Sequence, residues 1–305
     1  MRMVLSEDYL SARLERRNWC APSHFLSSAC DLTIMKLIFF GTSDFSKPVF
    51  EALKKEGYSP ILWDLSNSFD DFKKIKPDIC VVAAYGKIIP KEYLEIPKYG
   101  FLNIHPSLLP KYRGASPIQT AILNGEKETG VTIILMDEKI DHGPVITVEK
   151  LKIKNEKYKD LENKLAKLGA KLLVDILPKW INRKIKPVEQ SHNEATFTKK
   201  LSWPDGKINW SKTAEEIIRQ IRALNPEPGV WTLQAGKVLK ILEAEMIESK
   251  LSAESGQIFH IENQIIVKCG IDALILKKVQ LEGKKELNIQ DFVHGYREFI
   301  GSKLN

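Results

Sequence analysis

Met35-Lys36-Leu37-Ile38-Phe39-Phe40-Gly41 opens the first regular element of the chain: four apolar residues without alternation, closed by a glycine. A short continuous apolar run bounded by a turn residue predicts a strand buried on both faces, the kind found inside parallel sheets. Downstream, Asp44 to Glu56 reads as a helix stopped by Gly57, and Ile61 to Asp64 as a second strand. A polar helical stretch to Lys74 precedes a third strand, Ile79 to Ala84, and Phe101 to His105 forms a fourth. Ser116-Pro117 starts a helix reaching Asn124-Gly125, with proline early, where its missing N–H costs little. Val131 to Met136 is β-branched and apolar. Leu161, Leu165, Leu168, Leu172 and Ile176 recur at helical spacing, so a long amphipathic helix closes this part near Pro178. Strands alternating with helices predict an α/β fold with a doubly wound, mostly parallel sheet.

After Pro187 the character changes. Thr213 followed by Glu216 is a capping-box pattern ahead of Ile217, Ile218, Ile221 and Leu224, a short helix stopped by Asn225 to Gly229. Beyond it lie short β-rich runs at Val230–Leu233, Val238–Leu242, Gln257–Ile261, Ile265–Lys268 and Leu274–Val279, which predict a small barrel or sandwich. Residues 1–34 mix Arg, Ser, Trp and Cys without either periodicity. They are expected to be a disordered leader or to precede the true start, and they stay outside the fold reading.

The chain has 305 residues, enough for two domains, and its mean hydropathy of −0.22 is that of a soluble globular protein. No apolar run approaches the roughly 18 residues of a membrane helix. Arg2, Arg13, Arg16 and Arg17 are not followed by the apolar stretch of a secretory signal. Cys20, Cys30, Cys80 and Cys269 are scattered without metal-ligand spacing, and Cys80 lies in an apolar run, so a reducing cytoplasm is expected. Net charge is +7, and residues 150–200 alone hold 14 Lys and Arg against 6 Asp and Glu, which leaves the rest of the chain at −1. Such a segment is either a solvated face or a surface that attracts phosphates.

Asn103 and His105 sit two apart at the end of a strand, so their side chains leave the same face. Open sheets of this class bind ligands at the carboxyl ends of their strands. An imidazole exchanges protons near neutral pH, and an amide N–H₂ donates to a developing oxyanion. The plainer reading is a structural histidine beside an asparagine that ends the strand. Asp141 follows the Val131–Met136 strand in a turn-rich segment. If the two strand ends are neighbours, it can hydrogen-bond His105. Asp137, expected to be a turn residue, and His142, expected to be exposed, are its rivals. Gly41 and Asp64 are placed like parts of a dinucleotide site, but Gly41-Thr42-Ser43-Asp44-Phe45-Ser46 lacks the G-x-G-x-x-G turn.

The stretch from Asn103 to Gln119, NIHPSLLPKYRGASPIQ, closely resembles the folate-dependent formyltransferases, and GVTIILMDEKIDHG from Gly130 to Gly143 continues the likeness. FFGTSDF from Phe39, RGASPIQ from Arg113, WPDGKINW from Trp203 and RALNPEPG from Arg222 look like the methionyl-tRNA branch of that superfamily. The resemblance covers nearly everything from Met35 onward. It implies a Rossmann-like catalytic domain over 35–184, a linker over 185–202 and an OB-like β-barrel domain over 203–305. It implies transfer of a formyl group from 10-formyltetrahydrofolate to the amine of methionyl initiator tRNA, with no metal, by a cytoplasmic monomer. A formyltransferase acting on an amino-sugar nucleotide is the alternative.

Carried over by position, Asn103, His105 and Asp141 match the catalytic triplet of the family, and Ser107, Leu108, Leu109 and Pro110 its folate loop. Tyr85, Gly86 and Ile88 are expected on the pterin side of the pocket, and Lys152, Lys154, Lys157 and Lys159 are expected to touch tRNA. One departure stands out: the long basic loop that follows the second strand in the family is absent, and Asp64 to Asp71 runs straight into a helix. Because residues 1–34 precede a complete first strand, their removal should leave melting temperature and transfer rate unchanged. A truncated chain that aggregates or loses folate binding contradicts this.

Overall fold

The structure is a computed structural model and describes residues 35–305; the expectations for residues 1–34, with Cys20 and Cys30, fall outside the described residues. In chain order the first part comprises β1 (Leu37–Phe40), α1 (Ser46–Lys55), β2 (Ile61–Leu62), α2 (Phe69–Ile75), β3 (Ile79–Val82) and α3 (Lys91–Leu94). It continues with β4 (Phe101–His105), β5 (Arg113–Gly114), α4 (Pro117–Leu123), β6 (Glu128–Leu135), β7 (Val145–Lys152) and α5 (Tyr158–Ile181).

All four residues of β1 are buried, as the unbroken apolar run predicts. Ile38 and Phe40 face one layer, where they join Phe72 of α2, Tyr93 of α3, Cys80, Val82 and Phe101 in one core cluster. Phe39 points to the other face and meets Phe50 of α1 edge-on, with ring centroids 5.3 Å apart. Burial pushes the Cys80 thiol well up, which fits an inert core residue.

The sheet order is β2-β1-β3-β4-β6-β7. β2, β1, β3 and β4 are parallel, whereas β6 runs antiparallel to β4, and β7 antiparallel to β6. The sheet is thus mixed, with a parallel half followed by a hairpin. A hairpin needs no crossover helix, so the chain between Leu135 and Val145 is free to form a site. The first residues of the basic segment form the edge strand β7, whose charged side chains keep an open sheet edge soluble. α5 does not stop at Pro178 but contains it, and Trp180 Nε1 anchors the last turn by donating to the Tyr99 carbonyl at 2.9 Å.

The second part comprises β8 (Phe197–Thr198), α6 (Ala214–Leu224), β9 (Trp231–Gln234), β10 (Lys237–Ile247), β11 (Ile258–Ile261), β12 (Gln264–Lys268), β13 (Ala273–Leu281), β14 (Glu286–Asn288) and α7 (Ile289–Gly295). The order β11-β12-β13-β10-β9 is antiparallel throughout, with β14 paired to β13, and a bulge near Glu243 bends β10 so that the sheet curls. The capping box forms as read: the Glu216 N–H donates to Thr213 Oγ1 at 3.1 Å, and the Thr213 N–H to Glu216 Oε2 at 3.0 Å. Among the described residues no helix is long and apolar enough to cross a membrane.

α5 packs closely behind β4 because Gly169 has no side chain. A Cβ there would lie 2.7 Å from Ile104 Cγ2, and Ile104 sits between Asn103 and His105. Gly169→Leu should therefore overpack this contact and cost roughly 1–3 kcal/mol of stability. An unchanged denaturant midpoint would show that the helix is free to move away.

Candidate active site

Asn103 and His105 leave the same face of β4, His105 being only 4 % exposed. An acceptor oxygen lies beside each ring nitrogen of His105. The Tyr112 carbonyl is 2.9 Å from Nε2, and Asp141 Oδ1 is 3.5 Å from Nδ1. The doubly protonated ring is the form able to donate to both.

The carboxylate of Asp141 is the hub. Its Oδ1 accepts from Asn103 Nδ2 at 3.0 Å, and its Oδ2 accepts from the Gly114 N–H at 2.8 Å. Asp141 therefore holds Asn103 more closely than it holds His105, the partner first expected. One N–H of the Asn103 amide is used by Asp141, and the second is left for a ligand oxygen.

Asp141 does not arrive by adjacent strand ends. Because β6 is antiparallel, its end at Leu135 pairs with Leu102 near the start of β4. The segment after β6 folds back, and Asp141 makes the turn in the left-handed region at φ 49°. Asp137 is a turn residue, as expected, and accepts from the Lys139 N–H at 2.9 Å. His142 is not exposed. It bonds Asp137 Oδ2 at 2.6 Å and stacks on His192 with centroids 4.0 Å apart.

Asn103, His105 and Asp141 line one cavity of about 430 Å³, together with Tyr85, Gly86, Lys87, Ile88, Met136 and Ile140. That volume lies within the roughly 300–1,000 Å³ of small-molecule sites. Ser107, Leu108, Leu109 and Pro110 are not among its lining residues. Ser107 is fully buried, and its hydroxyl donates to the Lys111 carbonyl at 2.7 Å. Thr132 ties this loop to β6, donating to the Ser107 carbonyl at 2.7 Å and accepting from the Leu109 N–H at 3.1 Å.

The short segment after β2 docks on the cavity wall. Asp64 Oδ2 receives Lys87 Nζ at 2.8 Å and the Tyr85 hydroxyl at 3.0 Å, while Tyr85 Oη accepts from the Leu65 N–H at 2.7 Å. The Lys87 ammonium, followed by the Ser66 N–H, holds the Asp64 carboxyl well below the usual carboxylate range, and burial pushes the Tyr85 hydroxyl up.

The four lysines expected to touch tRNA differ among themselves. Lys157 pairs with Glu243 at 2.8 Å, and Lys159 bridges Asp44 at 3.2 Å and Glu162 at 3.0 Å. Lys152 and Lys154 are exposed at the edge of the sheet. Sequence reasoning missed the Tyr112 carbonyl, the Gly114 N–H and Thr132. Two of these act through backbone groups and carry no residue signature. Only the polar Thr132 in an apolar strand offered a signal.

A family model described as "Formyl transferase" matches residues 37–177, and one described as "Formyl transferase, C-terminal domain" matches residues 200–297. Between them the two matches make this chain a formyl transferase. The chain is 35% identical over 300 residues to a methionyl-tRNA formyltransferase of Caldanaerobacter subterraneus, covering 86% of this chain and 97% of that one. It is 38% identical over 311 residues to the enzyme of that name from Dictyoglomus thermophilum, covering 88% and 100%. HypX from Aquifex aeolicus, solved with tetrahydrofolic acid, shares the fold at a TM-score of 0.69 and 17% identity, over 87% of this chain and 48% of HypX. The chain belongs to the methionyl-tRNA formyltransferase family.

The Asp64 tether carries its own prediction. A carboxyl whose folded pKa is depressed adds stability above its unfolded value, here 3.8, and loses it as pH falls through the lower folded value. Amide exchange at Leu65 should stay slow through neutral pH and quicken in Asp64→Asn, with at most a small fall in melting temperature because the carboxylate lies at the surface. Unaltered exchange would show that Tyr85 alone holds the segment.

Proposed function

We propose that this chain transfers a formyl group from 10-formyltetrahydrofolate to the free amine of methionine carried on initiator tRNA. The observation that carries this reading is the convergence of Asn103, His105 and Asp141 on one cavity wall. The reading also takes residues 35–184 as a Rossmann-like catalytic domain, 185–202 as a linker and 203–305 as an OB-like domain. The cavity suits the donor: Ile88, Met136 and Ile140 supply apolar surface for a planar ring beside the polar groups of Asn103, His105 and Asp141. Tyr85, Gly86 and Ile88 are read as the pterin side. Ser107 to Pro110 then contribute by shaping the loop behind His105.

The unprotonated amine attacks the formyl carbon, a C–N bond forms, and the carbonyl oxygen becomes negative. The free N–H of Asn103 donates to that oxygen, and the positive charge of the protonated His105 ring beside it, whose N–H groups face Tyr112 and Asp141, adds to the stabilisation. The intermediate collapses by breaking the bond from the formyl carbon to the folate nitrogen. His105, steadied by Asp141, gives its own proton to the departing nitrogen and then takes the proton that the attacking nitrogen loses, which returns the ring to its starting form. Asn103→Ala should lower kcat by about 10²–10³-fold, the usual cost of one oxyanion donor. His105→Ala should abolish transfer in a folded protein, and near-normal turnover of either variant sinks the assignment.

Without the basic loop after β2, attraction of RNA rests on cations elsewhere, and phosphate contacts position RNA without reading its sequence. Charged initiator tRNA should be formylated with weakened discrimination against charged elongator tRNA. Since Lys157 and Lys159 are already paired, neutralising Lys152 and Lys154 should make the salt dependence of binding shallower by about 1 per cation lost. Kinetics on both charged RNAs and an amino-sugar nucleotide, side by side, test the reading. Reaction of the sugar alone would establish the alternative acceptor.

A further inference from the structure

Asp141 and Tyr112 flank His105, and both adopt left-handed backbone conformations, at φ 49° and 63°, which non-glycine residues hold only when their surroundings enforce them. In each case the enforcing group comes from the stretch that joins α5 to α6. Gln190 is 7 % exposed, and its Nε2 donates to the Asp141 carbonyl at 2.9 Å and to the Gly143 carbonyl at 2.7 Å, spanning the turn. Its Oε1 accepts from Arg113 Nη2 at 2.7 Å and Nε at 3.2 Å. Arg113 has only donors and the two carbonyls only accept, so the orientation of the Gln190 amide follows from its partners and all four of its hydrogen bonds are made.

The ring then closes. Arg113 is 3 % exposed and precedes Gly114, whose N–H holds the other carboxylate oxygen of Asp141 at 2.8 Å. Arg113 Nη2 also lies 2.9 Å from His192 Nδ1, and the His192 ring stacks on His142, the neighbour of Asp141. Burial, then His142 and Arg113, lower the pKa of His192, which agrees with a neutral ring accepting from Arg113. On the other side, Thr196 Oγ1 accepts from the Tyr112 N–H at 2.8 Å and so sets the carbonyl that takes His105 Nε2.

We propose that Gln190 is a positioning residue that fixes the Asp141 carboxylate through its backbone, and that Thr196 does the same for His105 through Tyr112. The connecting segment is thus part of the reaction machinery and not only a tether between two parts. The inference rests on the reading of Asn103, His105 and Asp141 as the reacting groups.

Gln190→Glu isolates the effect. It keeps an acceptor for Arg113 but replaces the donating Nε2 by a single oxygen that faces the Asp141 and Gly143 carbonyls. Two measurements on the full chain are needed. The first is amide exchange at Gly114, which reports directly on the Asp141 carboxylate and needs no activity. It should be at least about tenfold faster in Gln190→Glu, while the β4 amide of Leu102 is unchanged. The second is the kinetic split. Small displacements of a reacting group cost about 10²-fold, so kcat should fall by about that factor while KM for 10-formyltetrahydrofolate stays within about threefold. Folate-binding stoichiometry should stay at that of the wild type, whereas a merely structural lesion would lower stoichiometry and melting temperature together. Unchanged Gly114 exchange overturns the clamp whatever the activity, and faster exchange with normal kcat overturns its part in transfer. A wild-type chain without transfer would sink the functional reading but leave the exchange test valid. If Gln190→Glu fails to fold, Thr196→Val tests the second arm, with faster exchange at Tyr112 and the same loss of kcat; no change in either contradicts the proposal.

Discussion

The carboxylate of Asp141 is the point on which the site depends. One oxygen takes the Asn103 amide and lies beside the His105 ring, and the other takes the Gly114 N–H. A carboxylate largely withdrawn from water is costly unless its lone pairs are used, and here two other stretches of chain supply the partners. β4, β5 and the segment after β6 are thereby brought to one place. Hydrogen bonds to an ionised group are the stronger kind, which suits a contact that must hold three loops in register.

The fold prepares that contact in two ways. The parallel half of the sheet ends β4 beside a cavity, with Asn103 and His105 on the open face and Ile104 pressed against Gly169 of α5 behind them. The antiparallel pair β6 and β7 then leaves a long connection between its strands, which folds back to deliver Asp141. A parallel strand in the place of β6 would have led directly into a crossover helix. The mixed sheet is therefore what allows an acidic side chain to approach β4 from the side.

Much of this was legible in the sequence. The apolar run of β1, the strand from Phe101 to His105, the Thr213–Glu216 cap and five of the later strands follow from local periodicity and local hydrogen bonding. The direction of β6 was not legible, because strand pairing is decided by tertiary contacts and the same apolar residues fit either direction. β7 was hidden by its lysines, which read as a basic segment because an edge strand needs little apolar surface. The short elements β14 and α7 offered too few residues for any period to show. The identities of Asn103, His105 and Asp141 were readable, but their bonding was not. Tyr112 and Gly114 act through the backbone, and Gln190 is a single amide in a stretch with no pattern around it.

The most direct test of the central claim is single-turnover formyl transfer by Asp141→Asn at saturating donor, with folate binding measured on the same sample. Binding should persist and the transfer rate should fall by at least about 10²-fold, because Asn103 and His105 lose the group that orients both. Transfer within a few-fold of the wild type, with folate bound, would contradict it and show that Asp141 is only a structural link in the turn.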